Sequence, residues 1–303
     1  MLSALDFISL PKIDAHNHLN LGMRYDSYSK WAGFTIPGFP RALNGLDEMH
    51  EIIVQYTRPR TKTAEDIEAL LTMSIQDAIA DGVTVLEGSI DIAFVNHCGG
   101  VDNFLNLVQK IKSKFQGKIN LRPELGMGKL FDFSKISEWS SDLLKSGLFN
   151  SIDLYGPEVE EGIDNFKKIY DLAGSLGIKK KAHVGEFSDA KSVKTFIEYF
   201  DLDEVQHGIT AASDDSVLQF IKDRNIRLNI SPASNILLGS AKSYEEHPVK
   251  KIVEAGIRVS IGTDDLMFFN KSVSEQCADL VNVGVFTVEQ IKEIFMSTVN
   301  DYQ

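Results

Sequence analysis

The chain has 303 residues, 43% of them hydrophobic and 24% charged. That is the balance of a soluble globular protein able to bury a large core, and it excludes disorder, collagen and coiled coil. With 31 Lys and Arg against 43 Asp and Glu the net charge is −12. Such a surface repels phosphate backbones and anionic membranes, so neither a nucleic-acid nor a membrane partner is expected.

No stretch approaches the ~20 apolar residues of a membrane span. The N-terminus has neither the basic start nor the long apolar run of a signal peptide. Two cysteines without a pairing motif, Cys98 and Cys277, read as small core residues in a reduced, cytoplasmic protein.

Along the chain, short Val- and Ile-rich runs predict eight strands, over residues 13–19, 83–88, 119–125, 151–156, 179–184, 204–208, 226–230 and 258–262. Helix-like segments separate them. One over 63–80 opens on Thr63 and Asp66 in a capping-box-like pattern. Another over 164–175 ends near Gly174 and Gly177, and a third over 248–255 is followed by Gly256. Strand–helix alternation repeated eight times predicts a closed (β/α)8 TIM barrel forming a single hydrolase domain over 1–303, and such barrels typically take about 250 residues. An open doubly wound sheet is the alternative. Residues 20–60 form one long irregular β1–α1 loop with a short helix over 46–56. Its Trp31, Phe34, Phe39, Pro37 and Pro40 argue for packing, as a lid over the barrel mouth.

Chemistry-bearing residues sit at the strand ends. The first strand carries His16 and His18; two residues apart in a strand, they point to one face and can grip one metal ion, while Asn17 points the other way. The fifth ends in His183 followed by Glu186, the sixth in His207, the fourth in Gly156, and the eighth in Asp264-Asp265. Adjacent carboxylates are costly to bury unless a cation neutralises one of them. In a barrel all these ends converge on one mouth. Imidazole and carboxylate ligands suit zinc, and iron, nickel and manganese accept them too. His50, His97 and His247 lie off the strand ends and are expected to pack or cap. Glu87, at the end of the second strand, is expected to be structural.

Together these pieces resemble the adenosine deaminase branch of the amidohydrolase superfamily. The resemblance rests on Asp14-Ala-His16-Asn-His18, Ile152-Asp-Leu-Tyr-Gly156-Pro-Glu158, Ala182-His-Val-Gly-Glu186 and Gln206-His-Gly208. It continues through Ser231-Pro-Ala-Ser-Asn235, His247-Pro248 and Thr263-Asp-Asp265, in the family's order. It implies a (β/α)8 barrel with one zinc ion per chain held by His16, His18, His183 and Asp264. It implies hydrolytic deamination of an aminopurine or purine nucleoside, a small-molecule substrate, by metal-activated water. Glu186 would protonate the purine ring, and His207 would take a proton or steady the nucleophile. Asp265 and the Gly156 N–H would bind the purine, with His18 and Asn20 toward the substrate's remainder.

Three positions depart from the family's pattern. Asn20 stands where an acidic residue binds ribose, Ser89 where an arginine is common, and Leu266 where proline is usual. Two alternatives follow: the same machinery acting on a non-purine amino-heterocycle or an amide, and a barrel that binds a nucleoside without catalysis. Nothing in the sequence points to an oligomeric state.

Overall fold

The computed structural model describes residues 1–302. Every predicted strand forms: β1 Lys12–His18, β2 Val83–Asp91, β3 Asn120–Gly128, β4 Ser151–Tyr155, β5 Lys179–Val184, β6 Glu204–His207, β7 Arg227–Ile230 and β8 Val259–Ile261. They lie in sequence order and pair in parallel. Helices occupy every gap, so the architecture is a (β/α)8 barrel. Outward-facing Leu86, Ile90, Leu125, Ile152, Leu154 and Val205 are buried beneath those helices in the main apolar core. Among the described residues, no helix is long and apolar enough to cross a membrane.

The seam between β8 and β1 differs from the other seven. β8 is only three residues long, and its join to β1 among the described residues is an isolated bridge, Asn17 with Asp264. Asp264 N donates to His16 O at 2.7 Å, and His18 N donates to Asp264 O at 3.2 Å. Below the bridge, the Asp14 carboxylate accepts from Thr263 N at 3.2 Å and Thr263 Oγ1 at 2.5 Å. A Cβ at position 262 would stand 2.7 Å from the Cβ of His16, so glycine is what lets the two strands approach.

Under the mouth, the barrel is filled by charge rather than by Val and Leu. Lys181 Nζ lies 2.6 Å from Glu87 and 2.9 Å from Glu124. Arg227 lies 2.7 Å from Glu204 and 3.3 Å from Glu87. Tyr302 closes this cluster from the far end, its hydroxyl donating to Glu87 at 2.8 Å. Glu87 is therefore structural, as expected. It sits mid-strand, because the ladder of β2 with β3 continues to Asp91.

The helix over 63–80 is observed as Ala64–Ala80, with Thr63 and Asp66 forming the reciprocal capping box. Residues 164–175 divide into a 3-10 turn, Ile163–Phe166, and a helix, Lys167–Ser175. Residues 248–255 give the helix Val249–Glu254.

Residues 20–60 are more regular than the sequence suggested. They hold two helices, Tyr25–Ala32 and Gly45–Ile52, the second running on into a π turn, Ile53–Thr57, and a 3-10 turn, Arg58–Arg60. The first helix stops at Gly33, whose φ of 60° is left-handed. Both helices bury apolar residues in a second core with Met267, Phe268, Phe269, Ala233 and Leu238. Leu43 N donates to Leu237 O, and Met267 N to Leu21 O. The segment therefore packs onto the loops that follow β7 and β8, on the mouth side of the barrel.

Candidate active site

Four side chains converge where the first, fifth and eighth strands end. Each of His16, His18, His183 and Asp264 offers one ligand atom, and these atoms all lie within 4.8 Å of one another. His183 Nε2 is 3.0 Å from His16 Nε2 and 3.3 Å from His18 Nε2. Asp264 Oδ1 is 3.5 Å from both His16 Nε2 and His18 Nε2.

The outer atoms of His16, His183 and Asp264 are already used. His16 Nδ1 faces Asn229 O at 3.2 Å. His183 Nδ1 faces Asp153 Oδ2 at 3.0 Å. Asp264 Oδ2 accepts from Ser234 Oγ at 2.7 Å. Ring nitrogens turned inward with their far sides anchored are the arrangement of a metal site with its supporting shell. Burial, then His207, His183 and His18, hold His16 well below the usual imidazole range, which keeps it in the neutral, ligating form. The residues present thus fit a divalent cation.

Beside this set stands a second group. Glu186 Oε2 is 3.4 Å from His207 Nε2. Asn235 Nδ2 donates to Glu186 Oε1 at 2.7 Å and to His207 Nδ1 at 3.0 Å. The Asn235 amide is oriented by His247, whose Nε2 donates to Asn235 Oδ1 at 3.2 Å while its Nδ1 accepts from Val249 N at 3.1 Å. This chain of bonds leaves the proton of neutral His207 on Nε2. Burial, then His183, His18 and His247, hold His207 well below its usual range. Burial, then Asp264 and Glu158, push the Glu186 carboxyl well above its usual range.

Both His207 and Asp264 occupy left-handed backbone, with φ of 64° and 56°. For side-chained residues this conformation is strained, and such strain gathers at functional sites.

Asp265 is 5% exposed, and its Oδ1 makes no hydrogen bond among the described residues. Burial and the adjacent Asp264 push its carboxyl well above the usual range. Ser89 Oγ is likewise buried without a partner. Gly156 follows β4 at φ 106°, a conformation open to glycine. Asn20 sits in the turn that Leu21 N closes onto His18 O.

The structure brings His16, His18, His183, Asp264, Glu186 and His207 beside one another, while Asn20, Gly156 and Asp265 follow the ends of β1, β4 and β8. Three further groups were not singled out from the sequence for the roles they take. Asp153, on the same face of β4 as Ser151 and Tyr155, orients His183. Asn235 lies within a matching motif, yet only the fold joins it to Glu186 and His207. His247, expected to pack or cap, caps Val249 and also holds that amide. Tyr155 adds a wall: its ring stands edge-on to His18, with centroids 5.0 Å apart. Alternation along β4 was the available signal for Asp153 and Tyr155. His50 is half-buried and His97 exposed, away from the cluster. Cys98 and Cys277 are free and buried.

A family model described as adenosine deaminase matches residues 47–301. A Treponema pallidum protein, provisionally named an adenosine/adenine deaminase, is 51% identical over 280 residues, covering 92% of this chain and 94% of its own length. An adenosine deaminase from Clostridium perfringens is 23% identical, with 97% and 94% coverage. Among solved structures, a zinc-bound amidohydrolase from Burkholderia ambifaria superposes with a TM-score of 0.82 at 20% identity, covering 99% of this chain and 88% of its own. The Arabidopsis thaliana N6-methyl-AMP deaminase gives 0.82 at 19% identity, with 98% and 93% coverage. These last two likenesses concern the fold.

Proposed function

The chain belongs to the adenosine deaminase family, hydrolytic deaminases of the amidohydrolase superfamily, and from this we propose that it removes the exocyclic amino group of an aminopurine as ammonia, with one zinc ion per chain. The observation that carries the reading is the meeting of two groups at one mouth: a four-residue cation cradle and, against it, a buried carboxyl held beside a buried imidazole. His16, His18, His183 and Asp264 would hold the ion. When bound, it supplies Lewis-acid activation of water at neutral pH.

The chain's own residues do the rest. Glu186, kept protonated by burial and neighbouring carboxylates, gives its proton to the ring nitrogen beside the amino-bearing carbon. That delivery makes the neighbouring carbon more electrophilic and leaves the electron pair displaced by attack on a protonated nitrogen. His207, with its proton on Nε2, serves as a fixed N–H donor that steadies developing negative charge. It is not the base, because its other nitrogen is occupied by Asn235. Asp265, buried with Oδ1 unpartnered, is matched to share a proton with a ring nitrogen of the purine's five-membered ring. The Gly156 N–H is matched to an acceptor nitrogen on its six-membered ring.

The surroundings favour an uncharged substrate. Asp153, Glu158 and Asp264 lie in or just beyond the strands toward the mouth. The nearby Lys129 ammonium donates to the carbonyls of Pro157 and Val159. Asn20 and Ser89 contribute no charge. A free base or nucleoside fits this setting better than a phosphate ester does.

The test is ammonia release from zinc-loaded protein offered adenine, adenosine, deoxyadenosine, 5′-modified adenosines, AMP, guanosine, cytidine and simple pterins. Turnover of adenine or a nucleoside, with AMP at least tenfold poorer, is expected. Silence toward every purine with metal bound overturns the reading.

A further inference from the structure

We propose that Glu158 is a positioning residue that sets the placement of the acid Glu186; the proposal rests on the role given to Glu186 above. Glu158 lies two residues beyond Gly156, on the loop after β4. Its carboxylate is wrapped by the next loop, the one after β5. Oε2 accepts from Gly185 N at 2.7 Å, Ser188 N at 3.0 Å and Ser188 Oγ at 2.5 Å. Oε1 accepts from Glu186 N at 3.0 Å and Phe187 N at 3.3 Å. Four consecutive backbone N–H groups thus converge on one side chain, a concavity suited to an anion.

The wrapped segment is the one that carries Glu186, and it starts two residues after the ligand His183. It has little freedom to reach the same shape otherwise. Gly185 sits at φ +79°, and a Cβ there would stand 2.4 Å from Val193 and 2.9 Å from Thr210. The anchor is itself held. Lys129, from the loop after β3, donates to the carbonyls of Pro157 and Val159 on either side of Glu158.

Two consequences follow. The loop that presents Gly156 to the substrate and the loop that presents Glu186 are one mechanical unit, joined through Glu158. The same carboxylate also places a negative charge beside Glu186, acting in concert with burial and Asp264 to keep it protonated. Glu158 touches neither the cation cradle nor the expected reacting atoms, so its loss should show in turnover rather than in metal content. Hydrogen-bonded segments around a catalytic group set near-attack geometry, and a displacement of about 1 Å costs about 100-fold in rate.

The experiment compares wild type, Glu158→Gln, Glu158→Asp and Ser188→Ala as zinc-loaded proteins. Glu158→Gln keeps the size but turns an amide N–H₂ toward backbone donors. It is expected to lower kcat by about 100-fold, with KM within about threefold and one metal per chain retained. Glu158→Asp should recover part of that loss, and Ser188→Ala should lose less than Glu158→Gln. Unchanged kcat in Glu158→Gln, or a loss that appears only in KM, overturns the proposal. Should Glu158→Gln fail to fold, Ser188→Ala decides: lowered kcat at unchanged KM supports the proposal, and wild-type kcat overturns it. Should wild type prove silent toward every purine, the role of Glu186 fails separately. Amide exchange at residues 186–188 then decides, faster exchange in Glu158→Gln or Ser188→Ala supporting the anchor and unchanged exchange overturning it.

Discussion

The Glu186 carboxylate faces the His207 ring at 3.4 Å, and neither group is in its ordinary protonation range. The carboxyl is driven up and the imidazole down. A pair of titratable groups pushed in opposite directions by their surroundings is how one pocket keeps an acid and a neutral imidazole side by side near neutral pH.

Replacing the acid isolates its part. Glu186→Gln keeps the shape and removes the proton. Ammonia release should fall by about 10²–10⁴-fold, the usual worth of general acid catalysis, while metal analysis still finds one ion per chain. Full activity in this variant would refute the role.

The pH dependence has a definite sign. The protonated form of Glu186 is the active one, so kcat/KM should hold through neutral pH and fall on the alkaline side. Stability carries a linked signature in metal-free protein. The folded state keeps a proton that the unfolded chain releases above its ordinary value of 4.5. This group therefore costs stability progressively as pH rises from there toward the folded value. Melting curves of metal-free wild type and Glu186→Gln should diverge over that interval, with the variant the less pH-sensitive.

Asp153 should matter through the metal. Asp153→Asn weakens the partner of His183 Nδ1 and should lower metal affinity by about 10–100-fold, read by competition with a chelator. Added zinc should restore much of the lost turnover. An unchanged affinity would place Asp153 outside the metal's support.

Asn235→Ala should depress kcat without emptying the metal site. It leaves Glu186 Oε1, His207 Nδ1 and His247 Nε2 without their shared partner. A loss of about 100-fold is expected, with KM little changed. A loss confined to KM would mean that the amide serves binding.

Far below the mouth, Lys181→Met should destabilise the fold by about 3–5 kcal/mol, because it strands buried carboxylates that lose their counter-charge. Glu87 and Glu124 are the ones most directly exposed to that loss. Denaturant unfolding at neutral pH measures it. Burial already pushes Glu124 up to about 7, so the cost should shrink as pH falls and that carboxyl takes up a proton.

Much of this was legible in the chain. Val- and Ile-rich runs gave eight strands because parallel strands buried on both faces need apolar residues outward, and His16 with His18 showed the period of two. What stayed hidden depended on contacts remote in sequence. Lys181, Glu124, Glu204 and Arg227 read as polar strand positions, yet they point inward and neutralise one another across the barrel. Asn235 closes one matching motif but has no evident role until β6 and β5 bring His207 and Glu186 beside it. The helix Tyr25–Ala32 escaped notice because its aromatic face is matched by Met267, Phe268 and Phe269, more than two hundred residues later.

The join between the first and last strands falls on Asn17 and Asp264, and Asp264 is one of the four residues around the expected ion. The staves of this cask are fastened by its own clasp. Whatever displaces Asp264 would therefore slacken the ring as well as the cradle. The amides of His18 and Asp264, which cross that join, are the pair whose exchange with solvent registers whether the clasp is shut.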